Sequence, residues 1–247
     1  MIASPEPGPL VGGNMNDVVR VGDEVWRPTG PWTPNVHALL GTLARAGIDR
    51  VPRLLGVTED GRERLSFLPG DVAHYPLPDW LWREENLHAA GRLLRRIHDA
   101  SIDLARTPAG WRLPAREPIE VVCHNDFAPY NFVFAQERLV GVIDFDTASP
   151  GPRLWDLAYL AYRLVPYAED ADAPAEILAA ERGRREALMS AYGSDADAER
   201  LWTMMATRLD SLAVHSRAHA STRPELADHA AMYDRDATRL RTRARPV

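Results

Sequence analysis

Lysine is missing altogether: all 29 basic residues of this 247-residue chain are arginine. Any task usually given to an ammonium group falls to a forked, permanently charged guanidinium or goes unfilled. Cysteine is nearly absent too. The single thiol, Cys123, excludes an intrachain disulfide, and its place in an apolar run fits buried filler better than a nucleophile. No apolar run approaches the roughly 18 residues that a membrane span needs. Met1 to Gly13 lacks the basic start and apolar stretch of a signal peptide, so a cytoplasmic protein without a membrane partner is the expectation. Basic charge is also short. The formal net charge of -6 argues against a nucleic-acid-binding surface. It would suit a cationic substrate, but ordinary solubility is much the simpler explanation.

What is present divides the chain into two parts of different character. Met1 to Leu10 is rich in Pro and Gly and reads as loose. Val18 to Val21 and Glu24 to Arg27 are short extended runs around Gly22-Asp23, the pattern of a tight β-hairpin. Pro28 to Pro34 breaks the chain, after which Asn35 caps a predicted helix with Val36, Leu39, Leu40 and Leu43 on one face. Val51 to Val57 and Glu63 to Phe67 flank Glu59-Asp60-Gly61, a second hairpin, and Leu68-Pro69-Gly70-Asp71 reads as a hinge. Beyond it the 3.6-residue period dominates: Leu87, Ala90, Leu94 and Ile97; Leu201, Met205, Leu209 and Leu212; Leu226, Ala230, Tyr233, Ala237 and Leu240. Leu154 to Val165 is apolar on nearly every side, as in a buried helix. The expected fold is therefore α+β with two lobes, a small antiparallel β lobe over residues 1–68 and a mainly helical lobe over 69–247.

Three short β segments interrupt the helical lobe, Val121-Val122, Phe132 to Phe134 and Leu139 to Ile143, and they frame the most informative stretch of the chain. It runs His124-Asn125-Asp126-Phe127-Ala128-Pro129-Tyr130-Asn131 and continues to Ile143-Asp144-Phe145-Asp146. A carboxylate at Asp126, between a strand and a polar loop, suits orienting a hydroxyl and taking its proton during phosphoryl transfer. Asn131 offers a neutral amide oxygen and Asp144 a charged one, donors of the kind magnesium prefers. The Gln136-Glu137-Arg138 reversal lets the strand 139–143 deliver Asp144 beside the Asp126 loop. Taken singly, each of these is an ordinary loop Asp or Asn; their joint spacing favours a site. His124 reads as a structural donor that fixes the loop. Asp146 is either a second metal contact or a solvated turn. Asp156 stands near the start of a buried helix, where its charge favours the helix dipole and its carboxylate could hold backbone amides of the Asp126 loop. Gly12-Gly13 precedes the first hairpin, where glycines either let backbone amides approach phosphates or simply make a flexible leader.

The His-x-Asp pattern at His124 and Asp126, with Asn131 five beyond the Asp and Asp144 after a strand, resembles the aminoglycoside phosphotransferase family, which shares the protein-kinase-like fold. The resemblance runs from about Gly12 to Val165, with Asp156 in a Trp-Asp-Leu-Ala segment and Ser66-Phe67-Leu68-Pro69-Gly70 in place of the interlobe linker. It implies Asp126 as the catalytic carboxylate, Asn131 and Asp144 as magnesium ligands, and ATP or GTP as phosphoryl donor. Gly12, Gly13 and Arg27 would lie against the phosphates, and the linker backbone near Phe67 and Leu68 against the base. A small-molecule hydroxyl, such as that of an aminoglycoside or related metabolite, would be the acceptor. Where the family has a strand lysine paired with a helix glutamate, this chain has Arg27, and the helix from Asn35 to Ala46 has no Glu; His37 is its nearest polar candidate.

Those departures keep an alternative in view, a degenerate kinase-like protein that binds a nucleotide or ligand without transferring phosphate. A protein kinase fits less well, because only twelve residues separate Asp144 from Asp156, too few for a peptide-docking activation segment. Asp210 and Asp234 are candidate acids for a cationic substrate, but exposed helix charges are the simpler reading.

Overall fold

The computed structural model describes Gly8–Pro9 and residues 18–107, 109–167 and 173–244. Gly12 and Gly13 lie outside the described residues. Five strands form the first sheet: β1 (Gly8–Pro9), β2 (Val19–Val21), β3 (Glu24–Pro28), β4 (Leu54–Val57) and β5 (Arg62–Ser66), in the order β1-β2-β3-β5-β4. The expected hairpins are β2–β3 and β4–β5, both antiparallel. Gly22, at φ 63, takes the left-handed corner of the first turn. Within the expected loose leader, Gly8 and Pro9 add an edge strand to β2.

Helix α1 (Thr33–Arg45) starts two residues earlier than expected. Pro34 lies in its first turn, where a missing N–H costs nothing. Asn35, expected as the cap, instead donates its side-chain amide to the Ala109 carbonyl at 2.8 Å. The predicted face is correct, with Val36, Leu39, Leu40 and Leu43 all buried.

The helical part carries α2 (Glu84–Ala100), α3 (Arg153–Leu164), α4 (Ala175–Ala179), α5 (Glu181–Tyr192), α6 (Ala198–His219) and α7 (Glu225–Arg243). Two small β units lie among them. Strand β6 (Asp71–Val72) joins β8 (Phe132–Ala135) and β9 (Arg138–Val142) in the order β6-β8-β9, while β7 (Val121–Cys123) pairs with β10 (Ser149–Gly151). The expected hinge thus runs straight into a strand. Gly70, at φ 144, lets that crossing hug β8: a Cβ there would come 2.4 Å from the Phe134 carbonyl oxygen. The reversal between β8 and β9 places Gln136 and Glu137 at positive φ. Buried Asn86 of α2 clamps it, donating to the Glu137 carbonyl at 3.0 Å and accepting from Leu139 N at 2.9 Å.

Helix α5 has no counterpart in the sequence reading. Its apolar stripe is interrupted by Arg184, which is buried and donates to the Trp82 carbonyl at 2.6 Å and to the Leu164 carbonyl at 3.0 Å. A cation at a core position hides the period on which a helix assignment depends. One apolar core runs through both parts, joining Leu39, Leu40 and Leu43 of α1 to Leu94, Phe132, Leu157 and Leu209. Burial of this kind, at roughly 25 cal/mol per Å² of apolar surface, anchors the strands and turns that carry the polar residues.

Candidate active site

Strand β7 ends at Cys123, and the chain then enters a turn held from three sides. Asn125 adopts φ 65, an unfavourable conformation for a side chain larger than Gly that the surroundings must compensate. Its side-chain amide donates to Thr147 O and Ser149 Oγ, each at 2.9 Å, and its carbonyl oxygen accepts from Trp155 Nε1 at 2.8 Å. Its backbone carbonyl accepts a hydrogen bond from Arg208 Nη2. Arg208 is buried on α6, with its guanidinium 4.9 Å from the Trp155 ring centre and 4.7 Å from that of Tyr159.

Asp156 performs the supporting part expected of it. Fully buried near the start of α3, it accepts from the backbone amides of His124 at 2.5 Å and Asn125 at 2.8 Å, and from His98 Nε2 at 3.2 Å. Burial alone would raise its pKa, but the hydrogen bonds from His98 and from the His124 backbone amide oppose it, and the carboxyl is held below its ordinary value. His98 is braced in turn by the Tyr192 hydroxyl at 2.8 Å. Cys123 lies within 4.8 Å of these groups. Burial pushes its thiol up, and with the Asp156 oxygens spent on backbone amides the cluster is a structural brace rather than a metal centre.

His124 is structural, as expected. Its Nε2 meets the Ile143 carbonyl at 3.0 Å, and its Nδ1 accepts from the Asp126 amide at 3.2 Å. A carbonyl can only accept and an amide N–H only donate, so these partners fix the tautomer with hydrogen on Nε2. The ring ties the turn to the end of β9 and brings Asp126 and Asp144 to one place.

Asp126 points its carboxylate at two neighbours. Oδ1 accepts from the Tyr130 hydroxyl at 2.5 Å, and Oδ2 from Asn131 Nδ2 at 2.9 Å. Burial raises its pKa, against the lowering effect of the Tyr130 bond. Asn131 Nδ2 also donates to the Asp126 carbonyl at 2.9 Å. Both partners are acceptors, so the amide nitrogen must face them and the amide oxygen is the end left for a cation. Asp144 sits at φ 65 with its side chain half exposed.

Arg27 closes the other side. Its Nε–Glu63 Oε1 distance is 2.5 Å, its Nη2–Asp146 Oδ1 distance 2.6 Å and its Nη1–Asp144 Oδ1 distance 3.4 Å. These carboxylates raise its pKa in spite of burial. Asp146 is therefore not a solvated turn; it is largely buried and engaged with Arg27, with Arg112 Nη1 3.9 Å away. Burial raises the Asp146 pKa, opposed by Arg27. Glu63 also takes His37 Nε2 at 2.7 Å, so the acid absent from α1 is supplied by β5. A signal for it exists: β5 alternates, and Glu63 shares the buried face with Leu65. A buried acid calls for a buried base. No local spacing marks the pairing of Tyr130 with Tyr159, whose hydroxyls meet at 2.8 Å.

The linker is less open than the sequence implies. The Phe67 amide donates to the Asp23 carbonyl at 2.8 Å, and the Arg20 guanidinium stacks 3.7 Å from the Phe67 ring centre. Leu68 packs its side chain beside Gly141 of β9. Asp210 and Asp234 are engaged by Arg241 and Arg217, in keeping with exposed helix charges.

Residues 108–192 match the model of the phosphotransferase enzyme family designated APH. A trifolitoxin immunity protein from Rhizobium leguminosarum bv. trifolii is 37% identical over 149 residues, covering 57% of this chain and 55% of the relative. The chain thus spans about half the length of that curated relative. A choline/ethanolamine kinase family protein from Mesorhizobium loti superposes with a TM-score of 0.64 at 21% identity, over 96% of this chain and 91% of that one. The streptomycin–ATP ternary complex of the aminoglycoside phosphotransferase APH(2")-IIa gives a TM-score of 0.58 at 14% identity, over 94% of each chain. Residues 108–192 are accordingly similar to that family, and the chain as a whole has the two-lobed protein-kinase-like fold of those structures.

Proposed function

We propose that this protein is a cytoplasmic kinase that moves the γ-phosphoryl group of ATP or GTP to a hydroxyl of a small molecule. The convergence of Asp126, Asn131 and Asp144 through the His124 bridge from Asp126 N to Ile143 O carries this reading. The part up to Leu68 is the nucleotide lobe, and the part after it brings the catalytic turn and the acceptor wall. The donor set fits magnesium: an amide oxygen at Asn131 and a half-exposed carboxylate at Asp144, both hard oxygen ligands. When bound, the ion neutralises charge on the nucleotide phosphates. Asp126 orients the acceptor hydroxyl and receives its proton; the Tyr130 and Asn131 bonds hold the carboxylate still while it does so. Arg27, steered by Glu63, lies on the phosphate side. The experiment is nucleotide turnover against a panel of hydroxyl acceptors, with Asp126→Ala as control. Undiminished transfer by that variant would remove the proposed role.

A second reading, a binding protein without transfer, is favoured by the full engagement of Arg27 with three carboxylates. It also fits the likeness to a protein named for immunity rather than catalysis. Magnesium-dependent nucleotide binding with no turnover of any acceptor would select it.

A further inference from the structure

Asp146 stands between two guanidinium groups. Its Oδ1 lies 2.6 Å from Arg27 Nη2, and its Oδ2 lies 3.9 Å from Arg112 Nη1. The two cations are in different states. Arg27 meets three carboxylates, those of Glu63, Asp144 and Asp146, so its charge is balanced before any phosphate arrives. Arg112 has only the loose contact with Asp146. Among the described residues its guanidinium donates no hydrogen bond, and 36% of its side chain is exposed. The chain has no lysine to share the task, so Arg112 is the cation beside Asp146 with N–H groups left to give.

The chain builds a frame for this side chain. Arg112 belongs to the strap that joins α2 to β7. Ahead of it, Asn35 of α1 donates to the Ala109 carbonyl at 2.8 Å. Behind it, the Ser149 hydroxyl meets the Pro114 carbonyl at 3.4 Å and the Arg116 amide donates to the Pro150 carbonyl at 2.9 Å, both on β10. The Arg112 guanidinium rests 4.5 Å from the ring centre of Trp32, at the start of α1. Burial, then the positive charges of His219, Arg223, Arg112 and Arg208, lower the pKa of His215 on α6. Arg208 of the same helix holds the turn before Asp126 through the Asn125 carbonyl. Arg112 thus flanks Asp146 from the side of α6 and the catalytic turn, and Arg27 flanks it from the sheet.

We propose that Arg112 is a catalytic residue whose guanidinium binds the non-bridging oxygens of the γ-phosphoryl group during its transfer, an inference that rests on the phosphotransferase reading above. The bond between the γ-phosphorus and the bridging oxygen of the nucleotide breaks as the acceptor oxygen–phosphorus bond forms. The diphosphate leaves with that electron pair, and the hydroxyl proton passes to Asp126. Arg112 gives up no proton. Charge spreads over the oxygens of the group in flight, and a planar fork of N–H donors matches two of them at once.

The test reads thermal unfolding of the full chain with magnesium and ADP or GDP, with and without aluminium fluoride, a mimic of the phosphoryl group between donor and acceptor. The wild type gains stability from the magnesium diphosphate and a second increment from aluminium fluoride. Arg112→Gln keeps the first increment and loses the second, and Arg112→Lys recovers part of it. Arg116→Gln, on the same strap, keeps both, which separates contact with the phosphoryl group from loosening of the strap. In turnover with an accepted hydroxyl compound, Arg112→Gln lowers kcat about a hundredfold or more and leaves KM for the nucleotide nearly unchanged. If Arg112→Gln fails to fold, the Lys variant carries the comparison through the same two increments. A full fluoride increment in the folded Arg112 variants overturns the proposal. So does a wild type that binds the diphosphate and gains nothing from aluminium fluoride, or a loss that falls on KM with kcat intact. A wild type stabilised by no magnesium nucleotide defeats the phosphotransferase reading itself; stabilisation with unaffected Arg112 variants defeats the role of Arg112 alone.

Discussion

Arg27 and Glu63 stand opposite each other across the antiparallel pair β3–β5, and the strand register brings Nε within 2.5 Å of Oε1. Glu63 is 1% exposed, so its charge is not solvated by water; Arg27 compensates it and His37 Nε2 lies within hydrogen-bonding distance. In the Glu63→Gln variant the guanidinium loses its steering partner on the sheet side. Affinity for the magnesium–nucleotide falls about tenfold, the loss expected of one charge-assisted hydrogen bond, while kcat at saturation changes less. Nucleotide titration by calorimetry, compared with steady-state kcat, checks this split; equal losses in both would assign Glu63 a different part.

Asp144 is the charged member of the donor pair and is half exposed. Asp144→Asn is expected to leave the fold intact while abolishing the extra thermal stabilisation that magnesium adds to nucleotide. Ligand binding to the native state raises apparent stability by RT ln(1 + [L]/Kd), so the missing increment reports the missing ligand. A variant that keeps the full magnesium increment would exclude Asp144 from the metal site.

Asp156→Asn removes a fully buried charge that accepts two backbone amides and His98. Breaking one partner of such a network costs about 3–5 kcal/mol, measurable by denaturant unfolding near neutral pH. The pH dependence carries a sign. The folded carboxyl titrates below its ordinary value, so the unfolded chain takes up its proton first on acidification. The contribution is complete above about pH 4 and drains away as pH falls through the folded pKa. The difference between wild type and variant therefore shrinks toward acid, and a difference that grew on acidification would contradict the assignment.

Gly70→Ala sets a methyl group 2.4 Å from the Phe134 carbonyl oxygen at φ 144. The conformation alone costs about 1–3 kcal/mol, and the clash lies against backbone that cannot rotate aside. A clear loss in unfolding free energy is expected, with the β6–β8 pairing the first to loosen in hydrogen exchange; a neutral variant would show that the crossing can relax.

The sequence exposes the parts of this molecule whose chemistry is local. Asp126 and Asn131 share one turn, and Asp144 follows through a two-strand reversal, so the spacing announces a meeting that the His124 bridge completes. Both early hairpins were legible because Gly22 and Gly61 mark their turns. The start of α1 was misplaced because Pro34 reads as a breaker where the first turn tolerates it. Partners joined only by the fold were hidden. Glu63 lies 36 residues from Arg27, and Arg208 lies 83 residues from Asn125; neither pair has a local spacing to betray it. Helix α5 was lost for a related reason, since Arg184 occupies a core position whose acceptors are carbonyls of other elements.

Arg208 joins α6, and through it the α6–α7 hairpin, to the carbonyl of the strained Asn125. A displacement of that hairpin along its axis would pull directly on the peptide preceding Asp126. The C-terminal helices and the turn are thus tied by one buried guanidinium, so neither can shift along that bond without the other.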